Sequence, residues 1–401
     1  MAFTGGTGHF GWDTYYPWHA IQDLRHGIDP YADSIAAATR AIQNQGLPGA
    51  EKKSPLVYQY PPLTLPLLRL LALFPGWALA LAYGTAVATG VLLQLWAGFQ
   101  MADKYERRWL PMMLPAILFF PGLVTDDAIL SGNVAYILYG MILAAAVPGW
   151  KRNNWSWYYI AILSASIFKI PFLMLLAFPV LLDWRQWFRS GITAATGVLI
   201  FVAQMLLWPQ MFREYLLTLR LMFVWGHDYG FGPMGILGEA LLRRVLPASP
   251  ATTILYVAFA GALGIVLLVL ARRVREWNLP LERWVPVALV GTLLLNPRIK
   301  KYDLAAISVP MLLIGWRTLR YALERSANKK PAGNSVLSRF LRMPILAAVV
   351  CFLIPNIATV IGPPWFPGEL LVLLAVFAMG VWSLDHPVLD EGCSREGKIV
   401  R

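Results

Sequence analysis

Charge is scarce in this sequence: 14% of its 401 residues are Asp, Glu, Lys or Arg and 58% are hydrophobic, where soluble domains carry roughly 25% charge. That balance excludes an ordinary water-soluble globule and leaves a polytopic membrane protein. Acid is scarcest, 22 Asp and Glu against 34 Lys and Arg, for a net charge of +12. The excess lies in short clusters between apolar runs and forms no basic face, so orientation in a membrane accounts for it and nucleic acid is not expected as a partner. Cysteine is almost lacking: Cys351 stands inside an apolar run and Cys393 in a polar tail, which supports neither a disulfide framework nor a thiolate metal site. The first sixty residues hold no apolar stretch of signal-peptide type, so nothing there reads as cleaved. No internal repeat is visible, and the one linker-like stretch is Ser326 to Ser335.

What is present is a series of apolar runs. They span Leu63 to Gln100 (a short piece, Pro75, then a full span), Leu110 to Val124, Asn133 to Pro148, Trp155 to Phe168, Phe172 to Leu182, Ile192 to Trp208, Thr252 to Ala271, Trp284 to Leu295, Leu304 to Leu319, Ile345 to Ile361 and Gly368 to Ser383. A spanning helix needs about 20 apolar residues, so several of these are short. The expected fold is all-α, a single integral membrane domain over 1–401 with about 11 spans. The stretch from Trp155 to Leu182 could be one helix, but Lys169 and Pro171 fall at its middle, where a charge and a helix breaker are costly in lipid. Two short helices turning at Lys169 are therefore expected.

Basic clusters test that choice. Placing the loop around Asp13 outside puts Lys104, Arg107 and Arg108, then Lys151 and Arg152, Arg185 and Arg189, Arg272 to Arg283, Arg317 to Arg342, and the tail cations on the inner side. Every inner connection is then basic, as the positive-inside rule demands. The expected loops are a first outer loop at 12–61, a long outer loop at 209–250, a cytoplasmic loop at 320–342 and a cytoplasmic tail at 384–401. An outer N-terminal loop normally follows a spanning helix, which Met1 to Phe10 does not supply, so an earlier start is expected.

The polar residues hardest to explain then gather on the outer side, implying a cavity there. Asp13 stands in Trp12-Asp13-Thr14-Tyr15-Tyr16-Pro17-Trp18. A carboxylate can take a proton from an acceptor hydroxyl while the rings stack on sugar faces, or it can cap the helix that begins near Tyr15. Tyr16 to Leu24 reads as a short amphipathic helix ending at Gly27 and Pro30, lying beside the cavity or serving as an interfacial anchor. Tyr60-Pro61-Pro62-Leu63 stiffens the chain and starts a helix. Lys169, an ionisable residue between half-spans, either faces an anion or snorkels to the interface. Asn296-Pro297-Arg298-Ile299-Lys300-Lys301-Tyr302-Asp303 opposes the positive-inside trend, which suits a phosphate, and its bland alternative is a solvated turn with an Asp cap. Asp126-Asp127, before Asn133, could hold a divalent ion but reads more simply as a helix-dipole pair, so no metal is expected. His227-Asp228 is a His-carboxylate pair or plain loop polarity.

Taken in order, Asp13-Thr14-Tyr15-Tyr16, Gly27-Ile28-Asp29-Pro30-Tyr31, Tyr60-Pro61-Pro62-Leu63, Gly132-Asn133, Lys169-Ile170-Pro171 and Asn296-Pro297-Arg298 resemble glycosyltransferase family 87. These are membrane enzymes of the GT-C class that use polyprenyl-phosphate sugars. The resemblance implies a GT-C type bundle with short amphipathic helices in the outer loops, seated in a bacterial cytoplasmic membrane with an extracytoplasmic site and a cytoplasmic C-terminus. It maps the proposed catalytic base to Asp13. Similar members carry a His-containing segment where this chain has Arg298 to Asp303.

The implied reaction moves a hexose of mannose type, or a pentose, from a polyprenyl-phosphate donor to an acceptor glycan or glycolipid, with inversion and with no cofactor. Arg298, Lys300, Lys169 and Lys301 are the expected donor-phosphate ligands. Trp12, Tyr15, Tyr16, Tyr60, Asn133, His227 and Tyr302 are the expected substrate-binding residues, and membrane lipids are the surroundings. A phosphate leaves as a stable anion, so the paired carboxylates of glycosidases are not required. The competing class is a lipid-sugar flippase, whose mark would be inverted-repeat symmetry between halves; none is visible.

Overall fold

The computed structural model describes residues 12–44, 57–113, 132–226, 232–233, 250–329 and 368–385. Among them every regular element is a helix. Helices α1 (Tyr15–Arg25) and α2 (Pro30–Gln43) form the first loop; α3 (Leu65–Leu71), α4 (Gly76–Gln100) and α5 (Lys104–Trp109) follow. Then come α6 (Ala135–Arg152), α7 (Ser156–Phe168), α8 (Ala177–Leu182), α9 (Trp187–Leu207) and α10 (Pro209–Gly226). The remainder is α11 (Pro250–Glu276), α12 (Leu281–Leu294), α13 (Lys301–Leu304), α14 (Ser308–Lys329) and α15 (Gly368–Asp385). Among the described residues three helices are long and apolar enough to cross a membrane: Gly76–Gln100, Trp184–Leu207 and Thr253–Glu276. The expected runs Leu110 to Val124 and Ile345 to Ile361 fall mostly or wholly outside the described residues.

Breakers set the boundaries. Pro75 is extended and closes the short α3 off from α4. Lys169 is extended as well (φ −144°, ψ 103°), and Pro171 opens a 3-10 turn, Ile170–Leu176, that leads into α8. The chain doubles back there: the Tyr158 hydroxyl donates to the Leu175 carbonyl at 2.7 Å, and Trp155 packs edge-on to Phe178. This hairpin is the pair of short helices the sequence predicts.

Lipid tails are as apolar as Leu, so helices in a membrane are held by close packing and by hydrogen bonds between them. The α4–α6 crossing uses both. A Cβ on Gly140 would stand 2.4 Å from the Gly90 carbonyl oxygen, and one on Gly90 2.5 Å from that of Tyr136. Gln94 donates to the Tyr136 carbonyl at 2.9 Å. At the basic end of the same helices, the Arg317 guanidinium holds the buried Glu106 carboxylate at 2.5 and 2.7 Å and reaches the Glu282 carbonyl. Asp103 and Glu106 close a capping box on α5.

Helix extends into the predicted loops at 209–250 and 320–342. The loop expected at 209–250 opens with the 18-residue α10. Pro209 starts it, and Phe212 and Tyr215 bury it against the first-loop helices, where Tyr31 meets Tyr215 edge-on at 6.3 Å. Helix α14 runs on to Lys329, past the predicted end at Leu319, because no breaker intervenes before Pro331 and Tyr321 packs on Trp382 of α15 at 5.1 Å.

Candidate functional site

The site is assembled at the end of the bundle opposite the Glu106–Arg317 clasp. Gly132 takes φ +64°, a conformation that side-chain-bearing residues adopt only with strain, and delivers Asn133 to the start of α6. The Tyr83 hydroxyl of α4 donates to the Gly132 carbonyl. Asn133 is buried at 5% exposure. Its Oδ1 accepts from the Ala135 amide at 2.9 Å and from Lys169 Nζ at 3.0 Å. Two donors on the oxygen leave the amide only one orientation, and its Nδ2 donates to the Asp13 carboxylate. Asp13 itself lies in the 3-10 turn Trp12–Thr14; the N-cap position of α1 is Thr14, whose side chain makes no cap bond.

Lys169 therefore turns inward rather than to the interface. Its ammonium also sits 4.3 Å from the centre of the Tyr302 ring, a cation–π contact. Arg298 and Lys300 lie within electrostatic reach of Lys169, as do Asp13 and Asp303. Asp303 is buried and accepts from the Tyr139 hydroxyl at 3.0 Å and the Lys300 amide at 2.8 Å. The Asp cap of that turn is thus real, but the turn is not a solvated one. Gly232 presses on it so closely that a Cβ would stand 2.5 Å from the Pro297 carbonyl oxygen.

The first loop is fastened over this end. Asp29 caps α2 by accepting from the Tyr31 amide at 2.9 Å, and the Tyr31 hydroxyl donates to the Tyr60 carbonyl at 2.6 Å. Arg25 donates to the Ala72 and Phe74 carbonyls, and the Trp18 ring covers Gly76. Tyr60 lies within electrostatic reach of Asp13, Tyr83 and Tyr302 and packs edge-on against Phe168. Between α1, α3, α4 and α6 runs a cavity of about 1360 Å³, walled by apolar side chains such as Leu68, Val87 and Met141. Its polar lining includes Thr14, Tyr60 and Tyr83, and Leu67, Trp77 and Leu92 on its wall are exposed. Small-molecule pockets hold about 300–1,000 Å³, so this one suits a larger guest.

Of the residues the sequence singles out, the structure brings Asp13, Asn133, Lys169 and Tyr302 into one chain of contacts, with Tyr60, Arg298 and Lys300 around it. Tyr15 lines the cavity; Tyr16 is half-buried in the first turn of α1 and lines none of it. Trp12 opens the 3-10 turn and Lys301 opens α13. His227, Asp126 and Asp127 lie outside the described residues. Sequence reasoning overlooks Tyr83 and Tyr139, tyrosines inside apolar helices that carry no local signal, and gives Asp303 no role beyond capping.

No curated protein and no solved structure matches this chain. A family model does, that of glycosyltransferase family 87, over residues 58–297, well over half of the chain. The match stops short of Asp13 on one side and Arg298 on the other. It contains Tyr60, Asn133 and Lys169, and with the apolar helices around them it makes the protein a membrane glycosyltransferase, a member of glycosyltransferase family 87.

Proposed function

We propose that this protein transfers a hexose, mannose-like, or a pentose from a polyprenyl-phosphate sugar to a glycan or glycolipid acceptor on the extracytoplasmic side of a bacterial cytoplasmic membrane. The observation that carries the reading is the unbroken contact chain from the Asp13 carboxylate through Asn133 to Lys169 and Tyr302, beside a large apolar cavity lined by their chain neighbours Thr14, Gly132, Val134 and Phe168. An acid and a cation sharing one amide beside such a cavity fit a lipid-borne polar substrate.

In this mechanism Asp13 takes the proton of an acceptor hydroxyl, whose oxygen bonds to the anomeric carbon from the face opposite the donor phosphate. The bond from that carbon to the phosphate oxygen breaks, and its electron pair leaves on the polyprenyl phosphate. One displacement inverts the anomeric configuration. Lys169, Arg298, Lys300 and Lys301 take up the phosphate charge, Arg in a forked pair and Lys as point charges. Asn133 aims Asp13 and holds Lys169 in place. Tyr60, Tyr302 and Tyr15 line the sugar side, and the apolar cavity takes the isoprenoid tail through the exposed edge at Leu67, Trp77 and Leu92.

Asp13→Asn tests the assignment. With purified protein and a radiolabelled polyprenyl-phosphate mannose, this variant is expected to lose sugar transfer by at least about a hundredfold, the lower end of a general base's contribution, while still binding the donor. Transfer at wild-type rates would remove Asp13 from the mechanism. Loss of donor binding together with transfer would favour a cargo role for the acid.

A further inference from the structure

On the face of α1 turned away from this chemistry, three metal-ligating side chains converge. His19 and Asp23 stand one helical turn apart, so both project from the same face. Gly27, at φ +73°, and the Asp29 cap fold α2 back alongside, and α2 brings Asp33 opposite them. His19 Nδ1 lies 3.1 Å from Asp23 Oδ2 and 3.7 Å from Asp33 Oδ2, and one ligand atom from each of the three lies within 4.8 Å of the others. Donors held at zinc bond lengths of about 2.0–2.1 Å around one tetrahedral ion would stand about 3.3 Å apart, and the two separations from His19 are near that spacing.

Hydrogen bonding accounts for the 3.1 Å contact with Asp23, while Asp33 at 3.7 Å stands beyond hydrogen-bond range of the same nitrogen. Nδ1 carries at most one hydrogen, yet two carboxylate oxygens face it, and the Asp23 side chain is nine-tenths buried. His26, the next histidine, has its own Nδ1 on the Gln22 carbonyl at 2.8 Å. A divalent ion in the shared space would satisfy all three donors at once. His19 and Asp33 are 38% and 32% exposed, which leaves a path from water and a coordination position for it.

We infer that His19, Asp23 and Asp33 form a zinc site that staples α1 to α2. An imidazole nitrogen with two carboxylates and few ligands suits Zn²⁺, whereas Mg²⁺ and Ca²⁺ favour larger all-oxygen shells. The ion acts on structure: it fixes the hairpin whose first turn carries Asp13, without touching the sugar. It stands apart from the sugar-transfer reading and is tested without it.

The test uses the full chain in detergent micelles, stripped with chelator and purified on a histidine-free tag. Calorimetric titration with ZnCl₂ is expected to show one ion per chain with a Kd on the order of micromolar, weaker than four-ligand structural sites, while MgCl₂ under the same conditions gives no saturable heat. His19→Ala and Asp33→Asn should each weaken zinc by more than about tenfold, the least that losing even an outer-shell partner costs, with helical circular dichroism unchanged. No zinc binding by the wild type, or wild-type affinity in either variant, overturns the site. Should either variant fail to fold, X-ray absorption of the zinc-loaded wild type decides: a nitrogen and oxygen shell near about 2.0 Å with imidazole scattering supports it, and a shell without imidazole overturns it.

Discussion

Asn133 is the residue on which the site turns, because one carboxamide joins the acid to the cation. Replacing it with Asp keeps size and shape but sets a second carboxylate against Asp13. Like charges at that spacing raise a carboxyl's pKa, so Asn133→Asp should move the acidic limb of the pH–rate profile upward by about one unit or more and lower transfer at neutral pH. An unchanged acidic limb in the variant would separate Asn133 from Asp13. The other carboxyl open to such a test is Asp23. Burial raises its pKa; His19 and, more weakly, His26 pull it down, while Asp33 pushes it up. A carboxyl raised in the fold favours the fold when protonated. In chelator, thermal stability should therefore fall as pH climbs from the usual carboxylate range through the raised value. Asp23→Asn should flatten that slope, as thermal melts across pH 4 to 7 would reveal.

Among elements, the α4–α6 crossing positions Asn133 from a distance. Gly140 has backbone of Gly90 where its Cβ would go, so Gly140→Ala must push the helices apart. Overpacking of this kind costs about 1–3 kcal/mol, visible as a lowered melting temperature in detergent, with a loss of transfer although no pocket side chain has changed. The hairpin at Lys169 was legible in the sequence because both its signals are local: Pro171 breaks a helix wherever it stands, and a lysine in an apolar run is conspicuous. Helix α10 was not. Its polar residues end the apolar run at Trp208, and what makes it a helix worth keeping is contact with Tyr31, nearly two hundred residues earlier. Tyr139 was illegible for the same reason, since only the fold tells which tyrosine of an apolar helix meets Asp303.

For the whole molecule, the polar chain of contacts and the Glu106–Arg317 clasp mark opposite ends of α4 and α6, the arrangement that the distribution of basic loops implies. Membrane-impermeant thiol reagents check which end faces out. In a background of Cys351→Ser and Cys393→Ser, Ala36→Cys on the exposed side of α2 should label in intact cells. Arg152→Cys, exposed at the basic end, should label only after lysis, and the reverse pattern would invert the protein in its membrane.

The thirteen residues of α7 make a rod of about 20 Å at 1.5 Å per residue, whereas the hydrocarbon slab is about 30 Å thick. A rod that starts at the basic surface runs out well before the opposite one, so on the proposed reading Asp13, Asn133 and Lys169 would stand in a recess below the level of the surrounding headgroups. On the proposed reading a donor phosphate would reach that depth while its tail stayed in oil. An acceptor would have to lower a single arm of its sugar into the well, so large branched glycans are expected to be poor acceptors.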